Sequence, residues 1–361
     1  MDCVKEYIAP SLGSLYWESG SALSTALSEY LEDVRSSDIR RMRQSLESLS
    51  EDDREWLARI HAESENRSDL PDRVDQAIRV NQNFLYDLDR LIPAITRFPR
   101  EDPEPAGAIA ARVRLLPWAV AREWGSDFNS ERELTYQPIY WKLKELLPAG
   151  AKVLVPGAGC CRLAYEIAAR GFEVTAIEFD ALKLLAAAQM FALGLESLQT
   201  EIRPYALETC NRMSASDNTR PIYVPDALMT DDALSRLKIN GNEFVETART
   251  MGSGEFDAVV TSFFMDTTTS SDLYMNKIIG LLKPGGWWIN CGPFNYHYPS
   301  EKTVPLPPAQ EPNVEEFMLN VTRHGFTVAE RMEIDSTYMG NPSSMMQTKY
   351  RCLFFAAQFG Q

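Results

Sequence analysis

From Lys152 onward the chain alternates between two kinds of apolar pattern, and that alternation admits few folds. KVLVP, FEVTAIEF, FDAVVTSFF and GWWINCGPF are short runs, β-branched or aromatic and largely apolar on successive residues. Strands of this kind are buried on both faces, which calls for a parallel core covered by helices on each side. Between them RLAYEIAARG, DALKLLAAAQMFALG and SSDLYMNKIIGLL carry apolar residues at helical spacing. NVEEFMLNVTRHGF reads as a further helix ending in a glycine cap, and FTVAERMEIDSTY and YRCLFFAAQF read as two final strands. The pattern predicts a doubly wound, Rossmann-like α/β sheet within residues 101–361.

The first hundred residues have another rhythm. Three amphipathic helices account for Gly20 to about Leu91, with Ser50 and Asp69 where caps are wanted and Pro71 suited to a first turn. The proline- and acid-rich FPREDPEPAG, residues 98–107, reads as a boundary, leaving an N-terminal helical region over 1–100. Helix resumes between Arg112 and Leu147. The span 201–241 fits the alternation poorly, since NRMSASDNTRPIYVPDALMTDD is rich in turn residues, and is expected to be an insertion on the ligand side of the sheet.

Charge narrows the partners. With 51 acidic against 36 basic side chains the formal net charge is -15, which would repel a phosphate backbone, so nucleic acid is set aside as a substrate. The start, MDCVKEYIAP, lacks a basic-then-apolar export pattern, and the longest apolar stretch, LLAAAQMFALGL, is too short for a bilayer. A globular protein of the cytoplasm is expected. Six cysteines show no paired spacing of the kind that zinc sites or secreted frameworks need, so free thiols and no metal are expected. The adjacent Cys160 and Cys161 could instead form a strained vicinal disulfide.

In an open parallel sheet, ligands bind beyond the carboxyl ends of the strands, and the first strand-to-helix loop is the usual cofactor cradle. VLVPGAGCCRLAYE puts Gly157 and Gly159 in that loop, where glycine allows positive φ and close approach to the backbone. Glu178 closes the second strand, where one carboxylate can accept both hydroxyls of a ribose. Nicotinamide enzymes and S-adenosylmethionine-dependent methyltransferases share these two features. A dinucleotide fingerprint would want a third glycine at Arg162, which favours the methyltransferase reading without closing the other.

The words VLVPGAG, RLAYEIA, AIEF, SFFMDT, LLKPGGWWINCGPFNYHY and SMM followed by a tyrosine resemble, in this order and at similar spacing, those of the carnosine N-methyltransferase family. The resemblance runs from about Arg122 to Phe355. It implies a class I methyltransferase fold, S-adenosylmethionine as methyl donor and a small-molecule acceptor with an imidazole nitrogen, such as a histidine-containing dipeptide. It implies donor contacts from Gly157, Gly159, Glu178, Glu243, Phe244 and Ser262, with Arg132, Tyr136 and Gln137 in a segment that closes over the donor. For the acceptor it implies Asp266, which would bind an amine or imidazole N–H, and His297, which would orient or deprotonate the imidazole. Phe263, Tyr338 and Tyr350 would line the same pocket.

Plainer readings stand beside these. An aspartate after a strand is often the cap of the next helix, and methionines such as those of YMGNPSSMM more often fill gaps than bind ligands. His61 and His324 read as structural or solvated. The chain also departs from the family: Cys161 stands where a third loop glycine is usual, implying a wider or slightly strained loop. Thr348 stands where a second acceptor-pocket tyrosine is usual, which suggests a different or larger acceptor, such as a peptide-derived or alkaloid metabolite. A non-catalytic methyltransferase-like binding module is the remaining alternative.

Overall fold

The computed structural model describes residues 15–17, 20–63, 70–92, 97–99, 106–296 and 311–360. Seven strands form one sheet: β1 (Lys152–Pro156), β2 (Glu173–Ile177), β3 (Leu237–Asn240), β4 (Phe256–Ser262), β5 (Leu282–Gly292), β6 (Phe326–Ser336) and β7 (Tyr350–Phe359). Their spatial order is β3-β2-β1-β4-β5-β7-β6. The first five are mutually parallel, and β7 runs antiparallel between β5 and β6. The order reverses between β1 and β4, so the loops at the carboxyl ends of β1, β2 and β4 meet at the switch point.

The near-continuous apolar runs are explained by two separate cores. Along β1, Val153 and Val155 face one apolar cluster while Leu154 faces the other, and Ala258, Val260 and Val259 of β4 divide in the same way. In β7, Phe354 and Ala356 join the first cluster and Phe355 and Ala357 the second. Side chains two residues apart share a face, so a strand packed on both sides has no polar positions to spare. In the middle of the sheet the buried polar side chains Thr261 and Asn290 are paired across strands. Trp288 Nε1 donates to Thr261 Oγ1 (2.9 Å), Thr261 Oγ1 to Asn290 Oδ1 (2.8 Å), and Asn290 Nδ2 to the Leu353 carbonyl (2.9 Å).

The first cluster is covered by α5 (Ala106–Trp124), α6 (Asn129–Leu146), α7 (Arg162–Ala168) and α8 (Ala181–Leu195); the second by α10 (Phe244–Thr250), α11 (Ser271–Leu281) and α12 (Val314–Arg323). The short α9 (Asp231–Ser235) leads into β3. The caps follow the sequence: Asp180 accepts Leu182 N–H before α8, Asn313 makes a capping box before α12, and Gly325 takes φ +85° after it.

Where three helices were expected from Gly20 to Leu91 there are four among the described residues: α1 (Gly20–Val34), α2 (Arg40–Glu47), α3 (Glu51–Glu63) and α4 (Leu70–Asp89), the first two joined by a π-helical turn. Ser50 Oγ accepts Asp53 N–H at 3.1 Å. Leu23 and Leu27 of α1 and Val74, Ile78 and Leu85 of α4 belong to the same apolar cluster as β1 and α8. Asn81 of α4 brackets Arg203, accepting its N–H (2.7 Å) and donating to its carbonyl (2.9 Å). Cys3, Asp69, the side chain of His61 and most of the 98–107 boundary lie outside the described residues.

The span 201–241 is only partly an insertion. Thr200–Ile202 and Ile222–Val224 form a two-stranded antiparallel hairpin, but Leu237–Asn240 is the edge strand β3 of the main sheet. LKIN is short, and its Lys238 is exposed, so its apolar signal is weaker than that of the central strands. Among the described residues no helix is long and apolar enough to cross a membrane.

Candidate active site

After β1 the chain turns through three left-handed residues, Gly157 (φ +65°), Gly159 (φ +60°) and Cys161 (φ +63°), before α7 begins. Glycine takes this conformation freely, whereas a cysteine there carries strain of about 1 kcal/mol or more. The strained turn is held by Cys161 N–H on the Ala158 carbonyl (2.9 Å) and by full burial of the thiol. Cys160 and Cys161 are both free thiols, raised well above the ordinary range by burial.

Two buried carboxylates organise this loop. Glu178, at the end of β2, accepts Gly159 N–H (2.8 Å) on one oxygen and Asp180 N–H (2.9 Å) on the other. Glu123, from the last turn of α5, accepts Cys160 N–H (2.8 Å) and Arg162 N–H (3.1 Å). Burial pushes both carboxyls up, opposed by Lys183 at Glu178 and by Arg122 at Glu123. A β-carbon at position 159 would lie well inside contact distance of Glu123 Oε1, and that carboxylate is fixed by its two amides. Gly159→Ala is therefore expected to lose about 2–4 kcal/mol of stability, read by urea denaturation, from combined strain and overpacking.

The loop opens onto a cavity of about 660 Å³ bounded by Gly157, Gly159, Glu178, Phe244, Ser262 and Tyr338 among others. Part of the lining is apolar: Phe244 meets Phe264 edge-on (5.4 Å), Phe264 stacks on Tyr274 (4.8 Å), and Phe179 stands next to Glu178. Also on the lining, Phe263 stacks on Tyr338 (4.7 Å), and the Arg122 guanidinium lies 5.1 Å and 4.2 Å from the two ring centres. Arg122 is buried, with Nε donating to Glu131 Oε1 (2.7 Å), and its terminal nitrogens have no acceptor among the described residues.

Of the residues expected from sequence, Gly157, Gly159, Glu178, Glu243, Phe244, Ser262, Phe263, Tyr338 and Tyr136 line this one cavity. Others do not. Arg132 is turned into the protein, donating to the Arg122 and Gly125 carbonyls (both 2.8 Å), to Asn129 and to Asp226, because a guanidinium at that depth needs acceptors on all sides. Gln137 is half-buried and off the wall; on α6 it is Tyr136 that faces inward. Tyr350 packs on the first core from β7.

Asp266 sits in a 3₁₀ turn after β4, buried, its Oδ2 accepting Asn295 N–H (3.1 Å) rather than lining the cavity. It is no helix cap, since Ser270 caps α11. His297 lies outside the described residues. Thr348 is exposed and off the wall, so its shorter side chain does not itself widen the cavity. Arg122, Glu123 and Lys183 line the cavity without having been singled out from sequence. The signal available was AREW beside the helix end, a charged pair amid apolar residues.

The family model for carnosine N-methyltransferase matches residues 104–361, which takes in α5, α6 and the whole sheet. The chain belongs to the carnosine N-methyltransferase family. The carnosine N-methyltransferases of Schizosaccharomyces pombe and Rattus norvegicus are 32% and 30% identical to it, over 64% and 66% of this chain and 66% and 60% of theirs. The Drosophila melanogaster relative, carnosine N-methyltransferase unmet, is 29% identical over 72% of this chain and 58% of its own. The match thus spans less than two thirds of each relative. Among solved structures, a magnesium protoporphyrin IX methyltransferase from Synechocystis superposes with a TM-score of 0.41, at 13% identity over 68% of this chain and 90% of that one. As a carnosine N-methyltransferase family member the chain has the class I methyltransferase fold, with β7 threaded antiparallel between β5 and β6. Helices α1 to α4 precede the part that the family defines.

Proposed function

We propose that the protein is an S-adenosylmethionine-dependent N-methyltransferase that methylates an imidazole nitrogen of a histidine-containing dipeptide of the carnosine type. The observation that carries the reading is the buried Glu178 on the wall of the glycine-loop cavity in a chain of this family. Each of its oxygens accepts one amide and keeps a lone pair for a ribose hydroxyl. Gly157 and Gly159 leave bare backbone for the donor, Phe244 and Phe179 offer an apolar slot for a base, and the terminal N–H groups of Arg122 suit a carboxylate.

Bound there, S-adenosylmethionine supplies an electrophilic methyl group on a sulfonium that departs as a neutral thioether. The protein has to hold a neutral ring nitrogen about 3 Å from that carbon, in line with the sulfur, and keep water out. Phe263 and Tyr338, stacked on each other, offer an outer aromatic face suited to an imidazole ring, and the Arg122 guanidinium packs against both rings. His297 is assigned the ring proton, which must leave the nitrogen not being methylated or be held on it, so that the attacking nitrogen carries a free lone pair. Asp266 is assigned to a supporting position beneath the β5 loop.

Incubating the protein with donor and carnosine is expected to give a product heavier by one methyl group by mass spectrometry, and His297→Ala is expected to slow its formation by about 10²–10⁴-fold. No turnover of any histidyl compound alongside intact donor binding would overturn the acceptor assignment.

A further inference from the structure

Two cations line the cavity with donor capacity that the protein leaves unused. Among the described residues Arg122 commits only its Nε–H, to Glu131. Lys183, on the first turn of α8, is half-buried on the same wall, and its ammonium meets no hydrogen-bond acceptor among the described residues. The carboxylates around it are already engaged. Glu178 holds the Gly159 and Asp180 amides, Asp180 holds Arg112 (2.8 Å) and Leu182 N–H (3.0 Å), and Glu123 holds the Cys160 and Arg162 amides. Glu178 nevertheless keeps the lysine charged, raising it above the ordinary range.

Lys183 and Arg122 approach from different helices, α8 and α5, and both line the cavity that Glu123 and Tyr338 also line. A half-buried ammonium on a cavity wall, with no acceptor among the described residues, has N–H groups to offer a ligand. On a sulfonium nucleoside the only fully charged acceptor is the α-carboxylate of its amino-acid end. The sulfonium and α-ammonium are repelled by the same two cations, which fixes the direction in which that end can lie.

We propose that Lys183, together with Arg122, clamps the donor's α-carboxylate, with Lys183 recognising the amino-acid end while Glu178 takes the sugar. The inference rests on the donor reading above. Calorimetry with S-adenosylhomocysteine and with methylthioadenosine, the same nucleoside without the amino acid, separates the two ends. Lys183→Met is expected to weaken S-adenosylhomocysteine by about tenfold or more, the effect of one charge-assisted hydrogen bond, and to leave methylthioadenosine unchanged. Lys183→Arg should restore most of the loss. An equal loss on both ligands would place Lys183 at the sugar and overturn the proposal, as would no loss on either. If the wild-type protein binds neither ligand, the donor reading itself fails and this inference falls with it. Should the methionine variant not fold, Lys183→Gln with the same ligand pair gives the comparison.

Discussion

Glu178→Ala is expected to weaken S-adenosylhomocysteine by about 10²–10³-fold, because two charge-assisted hydrogen bonds to the ribose are lost at about 1.5–3 kcal/mol each before overlap between them is allowed for. The same substitution releases the amides of Gly159 and Asp180, so the loop loses its tie to β2 as well as its ligand contact. Glu178→Gln keeps acceptor capacity on one oxygen only and should fall between the two. Isothermal titration calorimetry reads the affinities, and near-ultraviolet circular dichroism checks that the fold is kept. Unchanged affinity in the alanine variant would put the sugar somewhere else and remove the basis of the proposed function.

The second large effect is on stability. Asp226 stands between two buried guanidinium groups, accepting from Arg162 Nη1 at 2.5 Å on one oxygen and from Arg132 on the other. Removing the carboxylate leaves two cations without their shared anion, and Asp226→Ala is expected to cost about 3–5 kcal/mol in urea denaturation. A loss below about 1 kcal/mol would mean that water or rearrangement replaces the carboxylate and that the network is not needed. Because Arg132 belongs to this network and not to the cavity wall, Arg132→Met should lower stability while leaving the affinity for S-adenosylhomocysteine of the folded protein unchanged.

Much of the architecture was readable from the pattern of apolar residues, for a definite reason. KVLVP and FDAVVTSFF bury both faces, so their signal does not depend on knowing which side is inside. β3 was hidden because LKIN is an edge strand of four residues after a turn-rich stretch, with one exposed position and little apolar area to announce it. At the site, residues tied to a backbone requirement were legible: Gly157 and Gly159 need left-handed φ, and Glu178 ends a strand at the switch point. The placement of Arg132 was not legible, because in a helix carrying both Arg132 and Tyr136 the direction of each side chain is set by tertiary packing. Arg122, Glu123 and Lys183 escaped notice because each sits in an ordinary helical turn, and their convergence appears only when α5 and α8 are brought over the same loop.

The connection between β6 and β7 carries Tyr338 and is anchored far away in sequence. Asn341 donates to Glu208 (3.1 Å) and accepts from Arg220 (3.2 Å), while Met345 N–H reaches the Asn211 carbonyl (2.8 Å). The groups assigned to the nucleoside come from α5, α8, α10 and the ends of β1 and β2, so Tyr338, the ring proposed to face the methyl acceptor, is supplied by a different stretch of polypeptide. Divergence of this tip among relatives can therefore retune which nucleophile is accepted while the nucleoside half stays as it is. Grafting the tip from one homologue to another, together with its hairpin anchor, is the natural unit of exchange.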